Sequence, residues 1–525
     1  MHSDSAQPGL VARREMTPRQ RRIVTAGIMV TLFLAALEST VVATAMPTIV
    51  ARLGGLAIYS WVFSAFLLTS TISMPLWGRL SDIEGRRPIF LAGIALFLAG
   101  SALCGAARSM GALVAFRAIQ GLGAGGLIPI SLTIIGEIYD LEQRAKMQAY
   151  FSGVWGVASV LGPLVGGVIT DYISWRWVFY INIPIGAAAM LIVTRGFHDA
   201  GREEAGKGMD LRAGAAFTLG LASLFGALLL GGDRWAWGSP PILALFALCA
   251  AFMALFVREE SRSESAILPL GLLRDRVVAT AVANGFFAGM AMFGALAFIP
   301  LFVQGVLGTS ATGAGKVLLP FTLAWVIAAT IGARLMLRTG ARPPILGGMA
   351  LLIAGFALMA RLDATTTPAT VALYLSIAGI GMGFVFVIFL VAVQTRVRTQ
   401  ELGVATSLVT FMRSTGATIG VAIMGTLVRS RMAGGLAVWR ATHREIAALI
   451  PPADLDALLR NPGLLVTPGT RERYPAALLE SFRQTLAHAI DPAFKAGLIA
   501  AILGLVAAAF YPAAASRARA AARQA

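Results

Sequence analysis

The sequence predicts an all-α polytopic membrane protein, and three observations predict it. Of its 525 residues 57% are hydrophobic and 13% charged, with 57 glycines, and the mean hydropathy is +0.77; no water-soluble domain of this length carries such a composition. The apolar residues gather into fourteen runs, most of about 20 residues, the length that crosses a hydrocarbon core of about 30 Å at about 1.5 Å rise per residue. The basic residues fall between the runs, concentrated on alternate connections. A net charge of +17 with a pI near 11 would point to nucleic acid in a soluble protein. Here membrane topology explains it, and no nucleic-acid partner is expected.

Taken in order, residues 1–22 form a basic N-terminus carrying Arg13, Arg14, Arg19, Arg21 and Arg22. The apolar run that follows is too long for a cleaved signal and lacks a convincing cleavage site, so it reads as an uncleaved anchor. The spans are placed at about 23–46, 59–76, 88–107, 112–135, 147–170, 177–194, 211–231, 240–257, 278–304, 314–337, 343–360, 369–394, 403–428 and 493–513, each from its apolar length. An even number puts both termini on one side. Connections on that side hold 26 lysines and arginines, counting Arg212 and Arg334 because they lie within a turn of a span end, whereas the short loops opposite hold Arg52, Arg108, Arg176, Arg234, Lys316 and Arg361. The positive-inside rule therefore makes both termini cytoplasmic in a multi-pass protein of the cell (inner) membrane.

Cys104 and Cys249 both fall within apolar runs, so neither a disulfide framework nor a metal site is indicated. The one long connection, 429–491, is expected outside the membrane as an amphipathic hairpin, because Leu478, Leu479, Phe482, Leu486 and Ile490 recur at helical spacing.

The segment Gly78-Arg79-Leu80-Ser81-Asp82-Ile83-Glu84-Gly85-Arg86-Arg87-Pro88 is a charged turn between two spans. Gly78 and Gly85 allow the turn, Asp82 can cap a helix or pair with a cation, and Arg79, Arg86 and Arg87 hold it on the cytoplasmic side. Gly340-Ala341-Arg342-Pro343 echoes Gly85-Arg86-Arg87-Pro88, with Leu335 standing where Leu80 does and Leu337 where Asp82 does. An internal repeat at this distance indicates two halves of the same hand.

These residues resemble the loop between the second and third helices of the major facilitator superfamily. Further stretches extend the resemblance over nearly the whole chain. Arg117-Ala118-Ile119-Gln120-Gly121 in the fourth span is similar to the family's arginine-glutamine-glycine motif, associated with proton coupling. Gly162-Pro163-Leu164-Val165-Gly166-Gly167 in the fifth resembles the antiporter motif, read as a bend and close-packing point. Leu37-Glu38-Ser39-Thr40 through Pro47 resembles an acid-bearing first helix, with Glu38 where Asp is usual. Trp175-Arg176-Trp177 and Asn182-Ile183-Pro184 fit the same group.

Two inserted central helices on top of twelve resemble the fourteen-helix drug:proton antiporter branch. The resemblance implies two six-helix bundles of the major facilitator fold, at 23–200 and 263–513, joined by a two-helix linker at 201–262 and ending in a cytoplasmic tail at 514–525.

Two soluble-enzyme patterns fail. Gly121 to Gly126 satisfies GxGxxG but lies within an apolar helix rather than between a strand and a helix, where glycine instead permits close helix contact. Ser310 to Lys316 is similar to a phosphate loop but lacks the first glycine, and Val317 stands where Ser or Thr would bind magnesium. None of the four histidines falls within a placed span. No enzyme chemistry and no cofactor are expected.

What remains for chemistry is charge inside the membrane, which costs about 2.5 to 3.5 kcal/mol per residue at mid-span unless it finds a partner or a cavity. By helical rise, Glu38 and Arg117 lie at comparable depth in the first bundle. Glu38 is expected to exchange a proton while Arg117, with Gln120 one turn away, favours the ionised acid; the alternative is a fixed structural ion pair. Arg413 is a second buried cation, lining a cavity or binding a carbonyl. Asn284, Gln304 and Gln394 are candidates to contact substrate or to tie helices together.

The resemblance implies a monomeric, proton-coupled exporter of small amphipathic compounds, with Gly78, Asp82, Gly85, Arg86 and Arg87 as a gating loop. Export of an endogenous lipid, siderophore or antibiotic is the alternative on the same fold. A non-transporting membrane receptor is the alternative of another class.

Overall fold

A computed structural model describes residues 16–53, 61–197, 210–232, 235–263, 266–268, 270–309, 311–442 and 476–513. The described residues are helical almost throughout. In chain order the helices are α1 (Pro18–Leu53), α2 (Trp61–Glu84), α3 (Arg86–Ala106), α4 (Met110–Ile138), α5 (Leu141–Tyr172), α6 (Trp177–Tyr180), α7 (Asn182–Gly196), α8 (Leu211–Leu230), α9 (Pro240–Glu260) and α10 (Arg276–Leu296). There follow α11 (Ile299–Leu301), continued by a π turn at Phe302–Val306, then α12 (Ala311–Thr339), α13 (Arg342–Met359), α14 (Pro368–Gln394), α15 (Leu402–Thr442) and α16 (Ala476–Ala509). Among the described residues, thirteen helices are long and apolar enough to cross a membrane. The remaining span, placed at 147–170, lies within the unbroken helix α5.

The chain divides into two compact units, one from 1–140, 157–210 and 263–267, the other from 141–156, 211–262 and 268–525. In the first unit, α4 is the central helix, and its glycines explain why. A β-carbon on Gly121 would lie 2.4 Å from the Phe66 carbonyl oxygen of α2, and one on Gly123 would lie 2.3 Å from the Phe97 nitrogen of α3. The run that matches a nucleotide-binding pattern is thus a surface for backbone-to-backbone packing in the absence of any hydrophobic drive between helices in lipid.

In the second unit the same device joins α10 to α15, where a β-carbon on Gly289 would meet the Arg413 carbonyl oxygen at 2.3 Å and one on Gly416 the Phe286 carbonyl oxygen at 2.0 Å. The inserted pair α8 and α9 is held by Phe217 against Phe256, ring centroids 5.0 Å apart, and Phe217 also meets Phe411 of α15 at 5.5 Å. Most of α9 faces outward with Leu243, Leu248, Leu255 and Val257 exposed, as a lipid-facing helix requires.

The internal repeat has a backbone counterpart. Gly85, between α2 and α3, has φ 97°, and Gly340, between α12 and α13, has φ 80°. A left-handed residue closes a helix tightly at little cost only when it is glycine.

Three sequence expectations need correcting. The charged turn is much shorter than the eleven residues suggest, because α2 runs to Glu84 and α3 starts at Arg86; one left-handed glycine reverses the chain, so Asp82 lies in a helix rather than a loop. The connection placed at 429–491 is helical at both ends, α15 running to Thr442 and α16 starting at Ala476. The amphipathic residues Leu486 and Ile490 are buried on the same helix as the last span, so this part is continuous with that span; 443–475, the rest of the expected hairpin, lies outside the described residues. Consequently His488, and Asp491 with its partner Lys495 at 2.7 Å, lie on a helix that reads as a span from Arg483 to Ala509.

Candidate functional site

The first unit holds a buried polar cluster assembled from four helices. Glu38 of α1 is 1% exposed and Arg117 of α4 is 2% exposed. They form an ion pair through Arg117 Nη1 and Glu38 Oε1. The same Nη1 donates to Gln120 Oε1 at 2.7 Å, one turn along α4, and Arg117 Nε donates to the Val62 carbonyl oxygen at 3.1 Å. The guanidinium also lies over the Phe66 ring, 4.1 Å from its centroid. Guanidinium suits such a site because its donors are fixed in one plane while both faces remain free to stack.

The second oxygen of Glu38 accepts from Asn182 Nδ2. Asn182 opens α7 just after the short α6, and the chain there is irregular at Ile181. Its amide nitrogen also donates to Ser101 Oγ of α3 at 2.9 Å, and Ser101 donates to the Phe179 carbonyl oxygen at 2.8 Å. Cys104, one turn along α3, faces Gln120 Oε1 at 3.6 Å. Each Glu38 oxygen is therefore met by a donor, the arrangement of an ionised carboxylate. Gln120 Nε2 is the one amide nitrogen of the cluster without a partner.

Sequence reasoning put Glu38, Arg117 and Gln120 together and missed Asn182 and Ser101 as members. The signal for Asn182 was a lone amide beside a helix break. Nothing in the sequence tied it to α1.

A second cluster closes the end of α2. Arg86 pairs with Asp82 one turn back, with Glu137 in the last turn of α4 at 2.7 Å, and donates to Ser81 Oγ at 3.0 Å. Acids in the last turn of a helix oppose its dipole. Arg86 offsets this for two helices at once. Arg87 instead donates to the Thr194 carbonyl oxygen near the end of α7 at 2.7 Å. Gly78 is buried on α2.

Of the antiporter-motif residues, Gly162 packs against α1 so tightly that a β-carbon would lie 1.9 Å from Thr40 Oγ1, while one on Gly167 would meet nothing within 4 Å. Gly166 is buried, and the Pro163 side chain lies outside the described residues.

In the second unit the candidates part company. Asn284 is buried, and its Nδ2 donates to the Gly504 carbonyl oxygen of α16 at 2.9 Å, which makes it a tie between helices. Gln394, also buried, reaches Thr406 Oγ1 at 3.4 Å. Gln304 lies half-buried in the π turn. Arg413 is half-buried, with its guanidinium 4.0 Å from the Phe386 ring centroid.

Comparison with known proteins gives the family: the model of the Major Facilitator Superfamily matches residues 28–421. The chain belongs to the major facilitator superfamily. Similar members include the multidrug transporter protein MdtP of Bacillus subtilis, 39% identical over 80% of this chain and 77% of that one. Multidrug resistance protein 3 of the same organism is 34% identical over 92% and 94%, and the efflux pump aunC of Aspergillus niger is 34% identical over 83% of each. Among solved structures, the human organic anion transporter MFSD10 superposes with a TM-score of 0.62 over 93% of this chain and all of that one at 15% identity. That likeness concerns the fold alone.

As a superfamily member, the chain is a multi-pass membrane transporter. Its fold is the one the motifs implied, with the two inserted helices α8 and α9. Both members of the ion pair lie within the matched residues.

Proposed function

We propose that the protein exports small amphipathic compounds in exchange for protons, by alternating access. The observation that carries this is the Glu38 carboxylate, buried within a membrane-spanning helix and held by Arg117 and Asn182. A group placed there at the insertion cost of mid-membrane charge serves a coupled ion more readily than it serves stability, since a buried ion pair seldom outperforms well-packed apolar side chains. The relatives named as multidrug transporters and efflux pumps support the direction and the breadth of substrate.

The cluster has the parts for a protonation cycle. With Glu38 ionised, Arg117 balances the charge and Asn182 donates to the second oxygen. On protonation, Glu38 needs an acceptor, and rotation of the Asn182 amide would supply its Oδ1. Arg117 would then fall back on Gln120 and the Val62 carbonyl, which already accept from it. One proton entering down 100 mV releases about 2.3 kcal/mol, enough for a concentration ratio of tens.

The test is transport by the purified full chain in proteoliposomes, with ethidium, a neutral dye and an anionic dye as probes under an imposed pH gradient. Uphill movement of at least one probe, abolished when nigericin collapses the gradient, is expected. Movement that only equilibrates every probe, with no response to the gradient, would contradict proton coupling.

A further inference from the structure

In the first unit the buried Arg117 is paired with Glu38, but the second unit contains an intramembrane cation without such a partner. Among the described residues, Arg413 makes no hydrogen bond and no ion pair; its guanidinium has only the Phe386 face. Arg117, by contrast, has a carboxylate, an amide and a carbonyl. Arg413 lies eleven residues into α15, about 16 Å along a helix at 1.5 Å per residue, so it is well inside the span Leu402–Met432. It is half-buried rather than sealed.

The Phe386 ring that Arg413 faces belongs to a chain of aromatic contacts drawn from three other helices. Phe386 of α14 meets Trp325 of α12 with centroids 6.4 Å apart, and Trp325 in turn meets Phe293 of α10 at 6.3 Å and Phe321 at 5.6 Å. Phe293, Trp325 and Phe386 are all half-buried. The position of Arg413 is fixed from behind: a β-carbon on Gly289 would stand 2.3 Å from its carbonyl oxygen and 3.1 Å from its Cγ, so α10 must carry glycine for the arginine to keep this place.

We propose that Arg413, Phe386, Trp325 and Phe293 form a substrate subsite for aromatic organic monoanions, a carboxylate or sulfonate attached to a flat apolar body. This deepens the export reading and rests on it for the word substrate. The guanidinium supplies paired donors for the anion, in the geometry that carboxylates and sulfonates match. The ring faces receive the apolar body by offset or edge contact. A cationic compound would meet the same guanidinium without a described carboxylate to balance it, so this subsite discriminates against the charge that the first unit's Glu38 could favour. The anionic headgroup of a phospholipid shares the chemistry of the anion but not a flat aromatic body, and the test separates the two.

Binding is measured by equilibrium dialysis with the full chain in phosphatidylcholine nanodiscs, corrected with empty discs, and without any gradient. The probes are 6-methoxy-2-naphthylacetate and its primary amide, which differ in charge and hardly in shape. The wild-type protein should hold the carboxylate at least 10-fold more tightly than the amide. Arg413→Gln should erase that preference while leaving the amide within about 2-fold, and Arg413→Lys should keep part of it. Trp325→Leu should weaken both probes together.

Equal binding of the two probes by the wild type, which needs no variant to fold, would overturn the proposal. So would a carboxylate preference that survives Arg413→Gln, or one that disappears when phosphatidylglycerol replaces part of the phosphatidylcholine, since the site would then belong to lipid. If the preference holds while ethidium and the dyes fail to move against a gradient, the subsite stands and the export reading falls. The converse result removes only the subsite.

Discussion

Asn182 uses one amide nitrogen to serve both Glu38 and Ser101, so its loss leaves a buried carboxylate oxygen without its donor. Hydrogen bonds to buried charged groups are worth about 1.5 to 3 kcal/mol, so Asn182→Ala should cut proton-coupled transport by about 10-fold or more. It should also shift the pH profile of transport, which a merely structural tie would not; an unchanged profile with lower protein yield would make Asn182 structural only. A different residue contributes to acid stability. Burial pushes the Asp275 carboxyl up, but Arg396 at 2.6 Å and the backbone N–H groups of Val277 and Val278 outweigh it and leave it below the ordinary value of 3.8. A carboxyl lowered on folding stabilises the fold above its unfolded value and loses that contribution as pH falls through the folded one. Asp275→Ala, which also removes the N-cap of α10, should therefore cost about 1 kcal/mol at pH 7, and its Tm deficit in detergent should shrink below pH 3.8; a deficit independent of pH would leave only packing to explain it. At this scale the sequence disclosed Glu38 and Arg117, because charge in an apolar run is conspicuous. It hid Asn182, because a neutral amide at a helix break has no such contrast.

Gly85 and Gly340 stop their helices at positive φ, where a residue with a β-carbon is strained by about 1 to 3 kcal/mol. Gly85→Ala and Gly340→Ala should each lower Tm in detergent, and Gly85→Ala should also reduce transport, because only the first turn is flanked by the Asp82, Arg86 and Glu137 cluster. Equal transport by the two variants would deny the first turn a special role. Asp82→Asn, leaving Ser81 and Glu137 to hold Arg86, should slow turnover with substrate affinity nearly intact. A large fall in affinity at unchanged turnover would count against gating. Fourteen apolar runs were readable as helices because length and hydropathy set them. Helix ends were not, since α2 takes in polar residues to Glu84 and α16 extends back to Ala476: hydropathy marks where lipid ends, while backbone hydrogen bonding continues past it. The match between Gly121–Gly126 and its packing on α2 and α3 shows the reverse case, a local pattern whose meaning the surrounding apolar run decided.

At the scale of the molecule, topology and coupling are the properties to test. Single cysteines at Arg52, Arg234 and Arg440 should react with an impermeant thiol reagent in intact cells, and those at Glu84, Arg202 and Arg262 should not; labelling of the second set would overturn cytoplasmic termini. The superfamily was legible from several motifs in order, each weak alone, whereas the Arg413 aromatic group was not, because Phe293, Trp325, Phe386 and Arg413 come from four helices with no common sequence period. The central claim is that Glu38 carries the proton. Glu38→Gln keeps shape and hydrogen-bonding reach but cannot titrate, and Glu38→Asp restores an acid with shorter reach. The measurement is substrate-induced proton release together with uphill efflux in proteoliposomes. Glu38→Gln should insert and bind uncharged substrate but lose both signals, with Glu38→Asp keeping part of each; uphill efflux at the normal rate with proton release in Glu38→Gln would place coupling elsewhere and leave Glu38 a structural partner of Arg117.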